Sequence, residues 1–206
     1  MDPRNITLEA GAPLEPAVAA GLIFDTDPHI FSFLHAHDRA RADQHLAYQW
    51  QQDQGLFSHR YARLAVDGEA LGGLALGLMT EEQGAAAGPF FQQAQAVLDP
   101  AGLAALARWV REGHYVLPAV PAQVFYLQNL AVLPSLRGRG LGQRLLEDVF
   151  RRAKEAGAEA VHLDLYAGNP AQALYQRAGF KVLVETRVPA LVSEGIDLHL
   201  HMAAPL

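Results

Sequence analysis

Apolar positions along the chain keep two rhythms, and the switches between them set out the elements. Residues 6–9 make a short candidate strand, after which Pro13 and Pro16 open a segment that reads as helical over 15–22. A helix is predicted over 38–52, where apolar positions are sparse; between the two, residues 24–37 carry Phe31, Phe33 and Leu34 in a pattern that fits neither period. Residues 61–66 and 70–79 flank Asp67-Gly68, a dipeptide that supports positive φ and so predicts a tight hairpin. Residues 80–121 then break the strand rhythm with Gly84, Gly88 and Pro89, and helices are expected over 90–98 and 100–111, the second with Asp99 as its cap and Pro100 in its first turn. This block reads as a helical insertion.

The second half is more regular. Residues 124–133 (VFYLQNLAVL) form a strand-like apolar run closed by Pro134. Leu141, Leu145, Val149, Phe150 and Ala153 recur at helical spacing, which predicts an amphipathic helix over 140–156 ended by Gly157. Residues 160–166 are another strand, Asn169-Pro170 caps a short helix running to Ala178, and strands over 180–188 and 196–203 finish the chain. Ile196, Leu198, Leu200 and Met202 would give the last strand its core face, leaving Asp197, His199 and His201 as ordinary polar residues on the other. With 206 residues and 50% hydrophobic content, one domain spanning 1–206 is the simplest organisation.

Charge and cysteine usage narrow the chemistry. Sixteen basic residues against 22 acidic give a net −6, which argues against a nucleic-acid binder. The absence of cysteine removes disulfides, thiolate metal sites and a cysteine-linked acyl-enzyme. With no apolar run near the roughly 20 residues that span a bilayer, and no basic-then-apolar N-terminus, the expectation is a cytoplasmic protein without a membrane partner. The charge is uneven, however. Residues 137–154 hold Arg137, Arg139, Arg144, Arg151, Arg152 and Lys154 against Glu147 and Asp148, a net +4 on a remainder of −10. Such a local patch suits a phosphate group, and arginine's planar fork suits it best.

The patch begins at a strand exit, a turn with three alternating glycines and a helix entry: Arg137-Gly138-Arg139-Gly140-Leu141-Gly142. Glycines let the backbone approach an anion, and the helix N-terminus presents free N–H groups at the positive end of its dipole. A Walker loop would need Lys-Ser/Thr after the last glycine, where Gln143-Arg144 stands, and a dinucleotide-binding turn would need a glycine at 143. An Arg-x-x-Gly-x-Gly cradle and a plain glycine-rich β-to-α turn remain.

This strand, loop and helix, followed by Asn169-Pro170, Leu174-Tyr175 and Gly179-Phe180 in that order, resemble the GNAT superfamily of acyl-CoA-dependent N-acyltransferases over about residues 124–184. The resemblance implies an α/β (α+β) fold: a mixed, mostly antiparallel sheet of about seven strands flanked by helices, splayed between the fourth and fifth strands, with the helical insertion at 80–121. It implies acetyl-CoA as donor, with the pyrophosphate on the backbone of Arg137, Gly138, Arg139, Gly140, Leu141 and Gly142. Leu130, Ala131 and Val132 would pair with the pantetheine arm, Asn169 would touch the cofactor near that arm, and Tyr175 would protonate the departing thiolate. The acceptor would be a small-molecule or peptide amine.

One departure stands out. Related strands often carry a carboxylate just before Leu-Ala-Val, whereas this chain has Gln128 and Asn129, so a water relay ending at His114 or Asp164 is the expected route for the amine's proton. The same amides allow a non-catalytic acyl-CoA-binding module, and the glycine loop alone allows another nucleotide binder. His35-x-His37 and Asp197-x-His199-x-His201 could each place ligands on one side of a strand, but nothing in the sequence joins the two groups into a metal site. Glu81-Glu82 reads as a turn or as an acidic rim for the amine, Trp50 and Trp109 as packing residues, and Arg144 as either a phosphate contact or a solvated charge. Homodimerisation through strand edges is an expectation that no single residue carries.

Overall fold

A computed structural model describes residues 5–206, the side chain of His114 excepted. Strands β1 (Thr7–Ala10), β2 (Ala62–Asp67), β3 (Ala70–Met79), β4 (Val124–Val132), β5 (Ala160–Tyr166), β6 (Lys181–Thr186) and β7 (His199–Pro205) form one sheet in the order β1-β2-β3-β4-β5-β7-β6. The expected architecture is the observed one. Asp67-Gly68 turns the β2–β3 hairpin with Gly68 at φ 62°, where a Cβ would be strained. Every neighbouring pair is antiparallel except β4 and β5, which run parallel and pair only at Val124↔Ala160, Phe125↔Val161 and Tyr126↔His162.

Helices cover both faces. On one lies α6 (Leu141–Glu155), whose Leu141, Leu145, Val149 and Ala153 are buried against Leu127, Leu163 and Met202 of the sheet, as their spacing predicts. Gly157 stops it at φ 77°. The same core takes in the short α7 (Gln172–Arg177) through Tyr175. The other face carries α1 (Pro16–Phe24), α2 (Pro28–Leu34), α3 (Arg39–Trp50), α4 (Thr80–Val97) and α5 (Pro100–Glu112), around a second core built on Trp50, Leu46, Leu64, Leu74 and Leu76. The unassigned stretch after Phe24 proves helical because Asp27 caps α2, its Oδ1 accepting the Ile30 N–H at 3.0 Å, with Pro28 in the first turn.

Four expectations are corrected. Helix α4 starts ten residues earlier than predicted and runs through Gly84, Gly88 and Pro89. Its first turn is held by the pair read as a turn or acidic rim: Glu82 accepts the Met79 N–H and Glu81 the Gln123 N–H, both at the end of β3 away from the glycine loop. The last strand starts at His199, since Ile196 is buried in the preceding loop against the other core. Several arginines of the cationic patch are also not free to contact a phosphate. Arg151 pairs with Asp148 and Glu155, Arg152 donates to the carbonyls of Tyr61 and Gly77, and Arg144 donates to the carbonyl of Ile6, so these arginines tie helix α6 to itself and to the sheet.

A buried chain fastens the insertion to the layer beside it. His35 Nδ1 donates to the Phe31 carbonyl, which leaves its Nε2 to accept from His45 Nδ1 at 3.0 Å; His45 Nε2 then accepts from the Gln49 amide, which also donates to the Phe90 carbonyl. Every ring nitrogen is used with both imidazoles neutral. Burial, reinforced by His35, accordingly lowers His45 to about 3, and burial lowers His35 as well. An unfolded histidine takes its proton near pH 6.5, so stability held above that value is lost as the pH falls below it, by about 1.4 kcal/mol per pH unit for each such group. Urea denaturation at pH 7.5, 6.5 and 5.5 should show this loss, and His45→Leu should flatten the slope whatever it does to the stability at pH 7.5.

Candidate active site

The glycine loop forms at the end of β4. A 3-10 turn, Pro134–Leu136, leads from the strand into Arg137, whose Nε donates to the Val132 carbonyl at 2.9 Å and pins the loop to the strand it leaves. Gly138 and Gly140 take φ of 73° and 79°, and a Cβ on either would meet no atom within 4 Å. The open space beside both is what a bound phosphate requires. Gly140 caps α6, and the first bond of the helix ladder is from the Arg144 N–H to the Gly140 carbonyl, so the N–H groups of Leu141, Gly142 and Gln143 precede the ladder at its positive end. Arg139 is exposed beside them, while Arg137 and Arg144 are held on backbone carbonyls.

Beyond Tyr126 the two parallel strands separate. β4 continues through Leu127, Leu130, Ala131 and Val132, held along its other edge by β3 up to Gly73↔Val132, while β5 follows β7 up to Tyr166↔His199. Among the described residues the edge of β4 that faces β5 therefore has no strand partner over residues 127–132; the Val132 carbonyl is taken by Arg137, and the rest of that edge is a template for an extended amide-containing chain. The cradle and this edge meet: at Gly142 an added Cβ would lie 3.5 Å from Leu174 of α7 and 3.9 Å from Leu130 of β4. Residues read from the sequence as one site thus share one end of the gap.

Tyr175, one residue after Leu174, is buried, with its ring against Phe180 at 5.6 Å. Burial pushes its phenol well above the ordinary value, which keeps the hydroxyl protonated. Asn169 does not cap α7, which starts at Gln172 with Ala171 as N-cap and no side-chain bond; its Oδ1 accepts the Ala171 N–H in the turn before the helix, and its Nδ2 donates to the Thr26 carbonyl. Thr26 in turn accepts from Asn129 Nδ2 on β4 at 2.8 Å and donates to the Ile23 carbonyl. The turn between α1 and α2 is thereby tied to both sides of the gap.

That turn covers a polar cluster on the sheet face opposite α6. Asp27 accepts from His199 at 2.9 Å; burial alone would lower His199, but this carboxylate outweighs it and holds the imidazole above its usual range. Deeper, Tyr126 donates to Asp164 Oδ2 at 2.8 Å, His201 Nδ1 bonds Asp164 Oδ1 at 2.9 Å, and His201 Nε2 meets His162 Nδ1 at 2.8 Å. Histidines 199 and 201 are 1% and 4% exposed, which corrects their reading as ordinary polar partners. The alternation Asp197-x-His199-x-His201 was the visible clue, together with Asp164 at the same spacing on β5. Asn129 Oδ1, also buried, has no hydrogen-bond partner among the described residues. The insertion reaches this face at second hand: α5 packs on α2, Arg108 pairs with Glu194, and Thr186 donates to the Val116 carbonyl.

The parted parallel strands, the glycine cradle at their mouth and the polar face beneath define an acyltransferase-type fold. The profile of the Acetyltransferase (GNAT) family matches residues 25–180, and the chain belongs to that family. An uncharacterized N-acetyltransferase of Bacillus subtilis, YvbK, is 34% identical over 71 residues, which is 34% of this chain and 46% of that protein. The match thus spans less than half of that relative. An N-acetyltransferase of Staphylococcus aureus superposes over 96% of this chain and 100% of its own with a TM-score of 0.68 at 13% identity. A GNAT acetyltransferase of Elizabethkingia anophelis, solved with acetyl-CoA bound, covers 98% of this chain and 99% of its own, with a TM-score of 0.54 at 15% identity.

Gly140→Ala places a Cβ at φ 79° and should cost about 1–2 kcal/mol of stability by denaturant unfolding. A substitution without cost would show that the loop readily takes another path.

Proposed function

We propose that this protein transfers an acetyl group from acetyl-CoA to a primary amine, by direct attack while donor and acceptor are both bound. The observation that carries this reading is the unpaired edge of β4 running into the cradle of Arg137, Gly138, Arg139, Gly140, Leu141 and Gly142. Acetyl-CoA supplies an acyl thioester already activated toward amines. The protein's share is to hold it and to move protons. The loop amides receive the pyrophosphate, Leu130, Ala131 and Val132 pair with the amide-bearing arm, and Asn169 closes on that arm from the far side of the gap. The Val132 N–H donates to the acyl oxygen as negative charge gathers there.

Tyr175 gives its proton to the departing sulfur. Burial keeps the phenol protonated in the resting site, so its O–H points a hydrogen bond at the sulfur as charge develops there, and solvent restores the proton to Tyr175 when CoA leaves. The acceptor enters from the face of Asp27 and Asp164, whose carboxylates favour a cationic amine over a neutral or anionic one. Helix α5 shapes that entrance indirectly, by bracing α2 and the β6–β7 connection.

A thermal-shift titration with acetyl-CoA should show saturable stabilisation, about 2.7 kcal/mol at a hundredfold excess over the dissociation constant; larger shifts with ATP or NAD would instead point to another nucleotide. Tyr175→Phe should lower kcat about 100-fold in a thiol-release assay while leaving the KM for acetyl-CoA unchanged. Binding of CoA without thiol release across polyamines, amino acids, aminoglycosides and peptides would identify a binding module and not an enzyme.

A further inference from the structure

The chain Tyr126, Asp164, His201 and His162 has no part in holding the donor, yet it lies on the floor of the gap. Tyr126 is in the last paired rung of β4 and β5, on the face that α1 and α2 cover. Its hydroxyl crosses to Asp164, two residues further along β5, and Asp164 stands opposite His201 on β7 in the strand register. Three strands thus converge on one carboxylate at the point where the gap opens. The Asp164 side chain is 5% exposed and that of His201 4%. A buried carboxylate with a phenol on one oxygen and an imidazole on the other costs several kcal/mol to desolvate, and hydrophobic side chains would fill the same space without that cost.

We infer that Tyr126 and Asp164 are the proton-accepting pair of the transfer reaction, with His201 and His162 as positioning residues behind them. The inference rests on the acetyl-transfer reading above. Tyr126 has two oxygen lone pairs and donates its single proton to Asp164 Oδ2, so its oxygen can accept an N–H of the attacking amine. A cationic acceptor first gives one proton to solvent, which frees the nitrogen lone pair; as the N–C bond then forms, the N–H bond breaks and that proton joins the Tyr126 oxygen. The original phenol proton passes to Asp164 Oδ2 at the same time. The phenol ends neutral, the carboxylate ends as a carboxylic acid, and the acid later returns its proton to solvent. No free phenolate forms, which matters because burial and the Asp164 charge push Tyr126 well above its usual range.

The groups around the pair support this direction. His201 Nδ1 bonds Asp164 Oδ1, which fixes the carboxylate so that Oδ2 faces Tyr126. His162, whose imidazole burial and His201 hold below the ordinary value, supports His201 from behind. Asp27, paired with His199, is the remaining carboxylate whose charge reaches Tyr126, and it strengthens the preference for a cationic acceptor. Together these side chains take the place of the strand carboxylate that Gln128 and Asn129 lack.

The test compares wild type, Tyr126→Phe and Asp164→Asn in thiol release from acetyl-CoA, with spermidine, kanamycin, lysine and an alanine-initiated peptide as acceptors. Stabilisation by CoA is measured on the same samples as a check of fold and donor site. Both variants should bind CoA as wild type does, keep the KM for acetyl-CoA, and lose about 100-fold in kcat with the best acceptor. The Asp164→Asn deficit should shrink between pH 7 and pH 10, as hydroxide takes over the lost base; a purely structural role predicts a deficit that pH does not change. An active wild type with Tyr126→Phe within about threefold of it overturns the proton-accepting pair alone. A wild type that binds CoA and releases thiol with none of the four amines overturns the acetyl-transfer reading and the pair with it.

Discussion

Two parallel strands that hydrogen-bond for three rungs and then part are the constraint on which the rest of the structure hangs. Leaving a strand edge unpaired inside a sheet costs the ladder bonds, and the protein tolerates it because each strand is fully engaged on its other side, β4 by β3 and β5 by β7. The gap is therefore rigid on both walls. At its mouth the chain turns through two left-handed glycines into α6, and at its floor Tyr126 links the two strands through Asp164. An edge without a strand partner, a glycine turn at a helix N-terminus and a buried Tyr126–Asp164 pair follow from one interruption of the sheet.

Rigidity alone would leave the gap open to water on the face opposite α6. The turn between α1 and α2 covers it, and every tie that holds the turn runs to a different element: Asn129 on β4, Asn169 after β5 and His199 on β7. Among the described residues Asn129 Oδ1 is left buried without a hydrogen-bond partner beside those ties, an acceptor whose desolvation is uncompensated. Such orphaned groups concentrate where a structure is made for something other than its own stability. The insertion serves this cover from outside, since α5 supports α2 and the Arg108–Glu194 pair steadies the β6–β7 connection.

Much of the fold was legible because local chemistry and the tertiary outcome agree. Asp67-Gly68 could hardly be anything but a hairpin turn, Asp99-Pro100 caps α5 with the Asp99 carboxylate on the Gly102 N–H, and the leucines of α6 fall on the face the sheet buries. Helix α4 was hidden by Gly84, Gly88 and Pro89, which break isolated helices but are tolerated here by packing of Phe90 and Ala94 on the core. The proposed donor side was legible for a similar reason: glycines with positive φ form a contiguous motif. Of the proposed acceptor side only Asp164 was singled out as a proton relay, because Asp27, Tyr126, Asp164, His199 and His201 lie on four separated stretches of chain and meet only in the folded sheet and the turn over it. Arginine count misled for the opposite reason, since Arg137, Arg144 and Arg152 keep their charge but spend their N–H groups on backbone carbonyls, and Arg151 is paired with carboxylates.

The edge of β4 without a strand partner is the surface that the donor is proposed to complete. Amide hydrogen exchange, residue by residue, with and without CoA measures this directly. Within residues 127–132, amides facing β3 should be protected already, those facing β5 should exchange quickly and slow on addition of CoA, and the amides of Leu141, Gly142 and Gln143 should slow with them. If the β5-facing amides are unaffected while CoA protects some other surface, the parted strands are not the donor site and the account is wrong.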